Sequence, residues 1–525
     1  MFTPQRRRVK STTGQILGIA MVFVSLGLVV SAVVELVGGG TGEGPLLISA
    51  LVFIVGGVLL VWATRVGETT PVAVFTAVAV TWFTVTALGS LPYILDRTMA
   101  APGVTRWVEI ADAFFEAASG FSCTGSTVLS NLPDLNDPDP AIGKGILFWR
   151  QLTQWYGGMG IVVLVLAVLP ALGASATDFL AAEAPGDTAD KVVPRIGETA
   201  KRLWLLYVGV TGFMSLLYVV AGMSIFDGLQ HGLTSAATGG FSPYNDSIGE
   251  FDSVAIELAC MAAMLIGGTN FVLHYRAVRG DVGVYWRDQE FRTYAAITAG
   301  FGTLVIVPLL IDGSLGGLGT VLRAGIFNTV TLITSTGFGN AQGPGTAGDF
   351  TSWIPAPIVI FLILMFIGGC TGSTSGGSKV LRARVLGGVA RRSLKQIRHP
   401  RGVFPIKLDG RSLPERVVER ITTFIVIYFG LAVVGTVVIT LLGAEFQTAL
   451  AGVLSSLGNM GPALGESGPT GTFVAGFNTP ARLLLAVLMI VGRLELFAVL
   501  LMFLGGFRRL RFLVPRLDHR SRYQE

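Results

Sequence analysis

Long apolar stretches alternate with short polar ones along most of the chain. Ten of these stretches reach the roughly 20 mainly apolar residues that an α-helix needs to cross a bilayer. They occupy residues 12–38, 46–64, 71–95, 145–172, 203–226, 253–275, 293–311, 352–380, 420–443 and 481–506. The first is too long, and too unlike a cleavage site at its end, for a removable signal peptide. The pattern predicts an all-α polytopic membrane protein with both termini on one side.

Four further apolar segments are too short to cross a membrane, and each lies between two predicted spans. They occupy residues 108–121, 228–237, 321–334 and 446–457. Each forms, with its flanking spans, a unit of span, short segment and span that occurs four times. We therefore expect an N-terminal helix pair followed by four repeats. The predicted boundaries are 1–70 for the pair and 71–175, 176–280, 281–400 and 401–525 for the repeats.

Each short segment ends in small and hydroxyl residues around glycine. The turns read Ala-Ser-Gly-Phe-Ser-Cys-Thr-Gly-Ser-Thr at 118–127, Thr-Ser-Ala-Ala-Thr-Gly-Gly-Phe-Ser at 234–242, Leu-Ile-Thr-Ser-Thr-Gly-Phe-Gly at 332–339 and Ser-Ser-Leu-Gly-Asn-Met-Gly-Pro at 455–462. Non-helical backbone is tolerated at membrane depth only where protein buries it or water fills a cavity. Four turns around one axis would surround a water-filled path with carbonyl oxygens, as in a cation filter. The alternative, close helix packing through small residues, does not explain four turns in corresponding positions.

Composition and charge agree with a membrane protein. Hydrophobic residues make up 51% of the 525 residues and charged residues only 14%, whereas a soluble domain has about a quarter charged. Of the 38 Lys and Arg residues, 31 fall in the termini and in alternate connections. The positive-inside rule makes those connections and both termini cytoplasmic, so the net charge of +5 does not call for nucleic acid.

The opposite, external connections carry mainly acidic residues. They include Asp134, Asp137, Asp139, Asp246, Glu250, Asp349 and Glu466. Acids at an outer mouth would raise the local cation concentration, although ordinary solvated loops would show the same composition.

No residue pattern indicates an enzyme or a cofactor bound by this chain. Cys123, Cys260 and Cys370 lack metal-ligand spacing, and the four histidines form no catalytic pattern. The sequence Gly377-Ser378-Lys379 reverses the order that a phosphate loop requires, and no strand precedes it.

Two features interrupt the predicted spans. Residues 368–377 contain five glycines, and glycine costs about 1 kcal/mol per residue in a helix, so the eighth span should break there, unless the glycines form only a packing kink. Arg493 lies inside the last span, and an intramembrane charge suggests a functional site. The alternative is a structural ion pair, for which Glu257 is a candidate.

These motifs together resemble the Trk/Ktr/HKT superfamily of potassium transporters, in particular its TrkH/KtrB-type membrane subunits. The resemblance covers about residues 10–510. Besides the turns it includes Gln154-Trp-Tyr-Gly-Gly-Met-Gly-Ile-Val-Val-Leu, Gly368-Gly-Cys-Thr-Gly-Ser-Thr-Ser-Gly-Gly-Ser-Lys and Gly492-Arg-Leu-Glu-Leu-Phe. It implies four units of two spans flanking a pore segment (M1-P-M2) around a pseudo-fourfold pore, and a homodimer in the cell membrane.

The resemblance also implies roles for individual residues. Glycine at all four filter positions goes with potassium selectivity in the superfamily, and serine at the first goes with sodium permeation. The implied potassium-binding residues are Cys123, Thr124, Gly125, Ala237, Thr238, Gly239, Ser335, Thr336, Gly337, Asn459, Met460 and Gly461. The implied gate, a loop beneath the filter, comprises Gly368, Gly369, Gly372, Gly376 and Gly377, with Arg493 facing the ion path. Cys123, where relatives more often have threonine, and Ala236-Ala237 depart from the family pattern.

The basic run from Arg382 to Arg401 resembles a docking face for a cytosolic nucleotide-binding ring of the TrkA/KtrA type. A positive-inside flank or a contact with anionic membrane lipid would account for the same charges. The function that follows is potassium uptake, with potassium as substrate. The alternative is a sodium- or proton-coupled secondary transporter with a midplane site, which the scarcity of acids within the spans disfavours.

Overall fold

The structure is a computed structural model of the full chain, and it describes residues 9–40, 42–65, 71–133, 135, 142–168 and 196–494. The expected external acids Asp134, Asp137 and Asp139, most of the basic connection 173–203 and the C-terminal segment 507–525 lie outside the described residues. The described part is mostly helical, as predicted, and its strands are only two residues long.

The N-terminal helices α1 (Thr12–Val37) and α2 (Glu43–Ala63) form the predicted pair. Ser11 caps α1 by accepting a hydrogen bond from the Gly14 amide at 3.1 Å. A Cβ atom on Gly18 would lie 2.8 Å from the Gly57 carbonyl oxygen, so small residues allow the two backbones to touch. Strands β1 (Val9–Lys10) and β2 (Thr64–Arg65) pair in parallel across the open end of the helix pair.

The remaining helices form four units with one order: a long helix, a short helix that ends in a turn, and a further helix or helix pair. The first unit has α3 (Pro71–Gly89), α4 (Leu91–Asp96), α5 (Arg106–Phe121) and α6 (Lys144–Val168). The second has α7 (Ile196–Val220), α8 (Ile225–Ala236), α9 (Val254–Gly267) and α10 (Phe271–Val278), and α11 (Val284–Arg287) follows it. The third has α12 (Gln289–Asp312), α13 (Leu318–Ile333), α14 (Pro355–Ile367) and α15 (Val380–Arg398). The hairpin β3 (Lys407–Leu408) and β4 (Arg411–Ser412) leads to the fourth, with α16 (Glu415–Leu441), α17 (Phe446–Gly458), α18 (Phe473–Gly476) and α19 (Thr479–Arg493).

Helix lengths agree with a protein that crosses the membrane many times. Six described helical stretches are long and apolar enough to span by themselves, and α9 with α10 qualifies as a bent pair. The four short helices α5, α8, α13 and α17 have 12 to 16 residues, about 18–24 Å, which is less than the roughly 30 Å hydrocarbon core. Their C-terminal halves are buried in protein, which satisfies the condition for ending a helix at membrane depth.

Two long helices are interrupted. The eighth predicted span ends as helix α14 at Gly368, whose φ of 78° excludes a regular helix, and helix resumes only at Val380. The sixth is bent by 101° between α9 and α10, which the sequence reading did not predict. There the Asn270 side chain accepts a hydrogen bond from the Val272 amide at 2.8 Å and starts a new helix. The glycines before Asn270 are the signal that was available.

Candidate functional site

The four short helices end in turns with one shared backbone conformation. Each turn has a residue in the left-handed region, followed two positions later by a glycine with positive φ. The left-handed residues are Cys123, Thr238, Ser335 and Asn459, with φ of 56°, 50°, 53° and 51°. The glycines are Gly125, Gly240, Gly337 and Gly461, with φ of 90°, 75°, 86° and 100°. The amide between them donates to a carbonyl five residues earlier: Thr124 to Ser119, Gly239 to Thr234, Thr336 to Thr331 and Met460 to Ser455, all at 2.8–2.9 Å.

This comparison shifts the predicted second turn by one residue. The predicted triplet Ala237-Thr238-Gly239 does not have the backbone conformation of the triplets in the other three turns. The triplet with that conformation is Thr238-Gly239-Gly240. Ala237 instead ends helix α8 with an ordinary right-handed φ of −81°. The signal that could have found Gly240 is the phenylalanine that follows it, as one also follows Gly337.

The turns touch one another in chain order and close into a ring. A Cβ atom on Gly125 would clash with the Gly239 carbonyl oxygen. One on Gly240 would clash with the carbonyl of Thr336, and one on Gly337 with that of Met460. The ring closes where a Cβ on Gly461 would lie 3.1 Å from the Thr124 carbonyl oxygen. Glycine is therefore required at four equivalent places, because each Cα lies against the carbonyl of the next turn.

Side chains seal the junction between the fourth turn and the first. Ser126 and Ser455 donate to the Gly461 carbonyl oxygen at 2.7 and 2.9 Å. Asn459 donates from Nδ2 to Thr124 Oγ1 and to the Met489 carbonyl oxygen, both at 2.9 Å. Residues 335 positions apart in the chain are thereby fixed to one another.

A buried ion pair supports the first two turns from the outside. Arg150 Nε lies 2.6 Å from Glu116 Oε1, and both side chains are almost completely buried. The Glu116 carboxylate also accepts the Val128 amide at 3.0 Å, just beyond the first turn. Arg150 donates to the Ser242 carbonyl oxygen at 2.6 Å and lies 3.6 Å from the centre of the Phe241 ring, just beyond the second.

Gln154 on helix α6 holds the second turn directly. Its Nε2 donates to the Gly239 carbonyl oxygen at 2.7 Å, and its Oε1 accepts the Phe241 amide at 3.1 Å. Its own backbone carbonyl accepts from the Cys123 thiol at 3.1 Å. One residue thus links the first turn to the second, which places the motif that begins at Gln154 beside the ring.

Replacing Gln154 by leucine should lower the thermal stability of the purified protein. The change removes two hydrogen bonds and leaves the buried Phe241 amide unpaired, at a cost of about 2 kcal/mol. Gln151, one turn earlier, is a matched control, since it is equally buried and its side-chain amide has no hydrogen-bond partner in the described part of the chain. Gln151→Leu should leave the melting temperature unchanged or raise it. Equal losses in the two variants would contradict this role for Gln154.

The non-helical loop of residues 368–379 lies against three of the four turns. Thr374 donates to the Ala236 carbonyl oxygen at 2.9 Å and accepts from the Thr238 hydroxyl at 3.2 Å. Ser335 Oγ accepts the Gly376 amide at 2.5 Å. At the fourth turn, a Cβ on Gly376 would lie 3.0 Å from Cβ of Asn459.

The glycines of this loop meet backbone on several sides. Gly368 lies against Gly376 and Gly377, closing the loop at its neck. Gly369 packs near the Gly268 carbonyl at the break in the sixth span, and a Cβ on Gly372 would lie 3.0 Å from Asn270 Oδ1. The loop is thus packed between two interrupted helices.

Arg493 connects the loop to the first turn. One guanidinium nitrogen donates to the Thr374 carbonyl oxygen at 2.6 Å. The other donates to the Gly157 carbonyl oxygen at 3.2 Å and contacts Cys123 Sγ at 3.3 Å. Loop and guanidinium together therefore contact the left-handed residue of every turn.

The alternative that Arg493 pairs with Glu257 is wrong. Glu257 Oε2 lies 2.8 Å from Arg323 Nε, and its other oxygen accepts from Asn340 at 3.4 Å. No carboxylate forms an ion pair with Arg493 among the described residues, and its hydrogen bonds go to neutral groups. Within the described residues, no acidic side chain therefore compensates the guanidinium charge beside the ring.

Two charged residues fix the loop, Glu290 from helix α12 and Lys379 from within the loop itself, and neither was assigned this role from the sequence. Glu290, in the first turn of α12, accepts the Thr371 amide at 2.6 Å and the Leu381 amide at 3.2 Å. Lys379 Nζ donates to the Ser375 carbonyl oxygen, and its φ is 74°. An acid in a first helical turn is typical of helix termini, so the sequence offered no signal for Glu290 as a clamp.

The expected acidic outer mouth is only partly present. The prediction that Asp349 belongs to this mouth is wrong, because its side chain is buried and accepts hydrogen bonds from Thr351 and Gly345. Glu466 is exposed, and Glu250 accepts the Leu135 amide at 3.0 Å.

The ring offers neutral oxygen ligands. No group of three or more His, Cys, Asp or Glu residues within the described ranges is placed to hold a metal ion. Carbonyl and hydroxyl oxygens without carboxylates suit a monovalent cation whose hydration shell they can replace. Arg493 contacts the first turn and the loop that lies against the other three, so it places a positive charge on that side of the ring.

Comparison with known proteins agrees with this chemistry. The family model described as "TrkH: Cation transport protein" matches residues 47–311 and 313–506. The Trk system potassium uptake protein TrkH of Salmonella typhimurium is 38% identical over 464 residues, 86% of this chain and 90% of the relative. The protein of that name from Escherichia coli strain K12 is 36% identical over 94% of this chain and 98% of its own length.

A solved structure is similar over almost the whole chain. The crystal structure of the potassium transporter TrkH from Vibrio parahaemolyticus superimposes with a TM-score of 0.80 at 32% sequence identity. The match covers 96% of this chain and 98% of that chain.

Proposed function

Because the chain belongs to the TrkH family of cation transport proteins, we propose that it takes up potassium across the cell membrane through the ring of four turns. The observation that carries the proposal is the closure of that ring, in which four equivalent glycines each lie against the carbonyl of the next turn. Consecutive carbonyl oxygens in such a ring replace the hydration shell of a potassium ion. The chain is a multi-pass membrane protein and not an enzyme.

The proposed filter consists of the left-handed residue, its successor and the glycine of each turn. These are Cys123-Thr124-Gly125, Thr238-Gly239-Gly240, Ser335-Thr336-Gly337 and Asn459-Met460-Gly461. Since the backbone supplies the ligands, the unusual thiol at Cys123 leaves the set of carbonyls intact. The thiol instead forms contacts behind the ring, to Gln154 and Arg493.

The loop 368–379 and Arg493 form the proposed gate. Both lie on the helix side of the turns, where the loop contacts the second, third and fourth turns and Arg493 contacts the first. An ion cannot pass while the loop stays packed there, and the Arg493 charge opposes a cation in a medium of low dielectric constant. Opening therefore requires the loop to leave its hydrogen bonds with Thr238 and Ser335.

The assembly of this transporter also belongs to the proposal. The relatives are components of a Trk system, and we infer a cytosolic nucleotide-binding ring that docks on the basic segment from Arg382 to Arg401. A homodimer and cytoplasmic termini follow from the resemblance and from the positive-inside rule. ATP or NAD control would act through that cytosolic partner, since this chain carries no nucleotide motif.

Flux into liposomes tests the proposed filter. The parent protein should take up rubidium, a potassium substitute, in preference to sodium, and Gly125→Ser should lower that preference. A side chain at Gly125 displaces the Gly239 carbonyl oxygen, one of the proposed ligands. Gly209→Ser is the matched control, because a Cβ there meets open space on helix α7. A parent without rubidium preference, or equal selectivity in Gly125→Ser and Gly209→Ser, would refute the filter.

A further inference from the structure

A cavity of about 410 Å³ lies between helix α15 and the segment that leads into the β3–β4 hairpin. Its lining includes five cationic side chains and no acidic one: Arg384, Arg391, Arg392, Lys395 and Lys407. The cavity is separate from the ring of turns and from the loop beneath it. It therefore calls for an anionic ligand that the transport path does not explain, and four of its cations also belong to the segment proposed above as a docking face.

Most of its positive charge is uncompensated. Arg384 donates to Thr293 Oγ1 and to Gln289 Oε1, both at 2.6 Å, and both partners are neutral. Only Arg392, among the cavity's five cations, has a described carboxylate partner, with two bonds of 2.8 and 2.9 Å to Glu415. A phosphate group in the cavity would supply the missing counter-charge, and arginine binds phosphate through paired donors.

The remaining wall is apolar. Val385, Ile406 and Leu408 are buried side chains that line the cavity beside the cations. A Cβ on Gly388 would lie 3.1 Å from Ile406, so glycine at this position keeps the wall open. A ligand that matches both surfaces has a phosphate next to hydrocarbon, which describes a phospholipid better than a free phosphate.

The depth of the cavity fits a lipid headgroup. Thr293 belongs to the start of α12 and Glu415 is the first residue of α16, and both helices are apolar spans. Nearby, Leu394, Ile397 and Val403 are 65%, 76% and 91% exposed, although Arg and Lys residues surround them in sequence. Exposed apolar side chains among basic ones are typical of a helix lying in the membrane interface.

We propose that this cavity binds the phosphate headgroup of an anionic phospholipid. The bound lipid joins α15 to the start of α12. Helix α15 begins directly after the loop 368–379, and α12 carries Glu290, which accepts the Thr371 amide of that loop and the Leu381 amide in the first turn of α15. The lipid thereby stabilises the closed position of the loop, a consequence that rests on the proposed function, whereas the binding itself does not.

Lipid retention by the purified full-length protein tests the site. Native mass spectrometry would count phosphatidylglycerol molecules that remain bound after exchange from mixed micelles with neutral phosphatidylcholine. The double variant Arg391→Gln/Lys407→Gln should bind at least about tenfold more weakly, since one hydrogen bond from a charged group to a bound phosphate contributes that factor. Arg398→Gln/Arg401→Gln removes the same charge from exposed positions outside the cavity and should bind like the parent.

Gly388→Leu provides a second variant that changes no charge. Its side chain should fill the cavity from the helix side and displace the lipid, so the site stays testable if the double variant does not fold. Equal losses in the two double variants would mean diffuse attraction and overturn the proposal, as would unchanged retention in Gly388→Leu. If inorganic phosphate raised the melting temperature as much as phosphatidylglycerol does at the same concentration, the ligand would be a soluble anion and the lipid proposal would be overturned. Lipid retention is measured without ion flux. Failure of the proposed potassium uptake would therefore appear in the liposome flux assay and not in this experiment.

Discussion

Replacing Gly240 by alanine is expected to abolish most of the preference for rubidium over sodium in liposome flux. The φ of 75° at Gly240 costs a residue with a side chain about 1–2 kcal/mol. The added Cβ also collides with the Thr336 carbonyl oxygen, which belongs to the backbone and cannot move without opening the ring. Because that shift moves a carbonyl of the ring, the selectivity ratio should fall by about tenfold, which corresponds to about 1.4 kcal/mol lost from rubidium binding relative to sodium binding.

Gly239→Ala is the control that tests the register of the second turn. Gly239 has no positive φ, and its Cβ would meet only the end of the Gln154 side chain. Displacing that side chain breaks its hydrogen bonds to the second turn but leaves the backbone of the third turn in place, so selectivity should fall less than in Gly240→Ala. A larger loss in Gly239→Ala would restore the register Ala237-Thr238-Gly239 that sequence reading predicts. Thermal melting of both variants in detergent would separate a local change at the ring from general misfolding.

The contrast between these two glycines illustrates what sequence alone determines in this fold. Length and hydropathy place the spans and the short helices, because burial in lipid is decided residue by residue along the chain. The repeat then locates the turns to within one position. Which glycine of the Gly239-Gly240 pair has positive φ depends on contact with the third turn, and no local pattern except the following phenylalanine reports that contact.

The residues that hold the loop were harder to predict for the same reason. Glu290 and Asn270 lie outside the loop. Glu290 accepts the Thr371 amide of the loop, and Asn270 packs closely against Gly372. Glu257, the candidate partner of Arg493 in the alternative interpretation, pairs instead with Arg323, and no local pattern indicates that contact between residues 66 positions apart. The glycine-rich loop itself was predictable, since five glycines cannot continue a stable helix.

Arg493 contacts both the first turn and the loop, and its replacement should produce the largest gain of flux. Arg493→Gln removes a charge from beside the ring and a charged donor from the Thr374 carbonyl. A hydrogen bond from a charged group contributes about 1.5–3 kcal/mol. Loss of the restraint and of the electrostatic barrier should raise rubidium flux in the absence of any cytosolic partner by about tenfold or more. The preference over sodium should persist, because the ring of turns is unchanged.

Arg493→Lys and Arg482→Gln separate the causes of that gain. Lysine keeps the charge but lacks the fork that reaches Thr374 and Gly157 together, so the increase in flux should be smaller than with glutamine. Arg482 is equally buried on helix α19 but lies 2.8 Å from Asp112, so Arg482→Gln should lower thermal stability without raising selective flux. If Arg493→Gln leaves flux at the parent level while the protein stays folded, the barrier lies elsewhere in the loop. A gain that equally favours sodium would mean that the ring itself had opened.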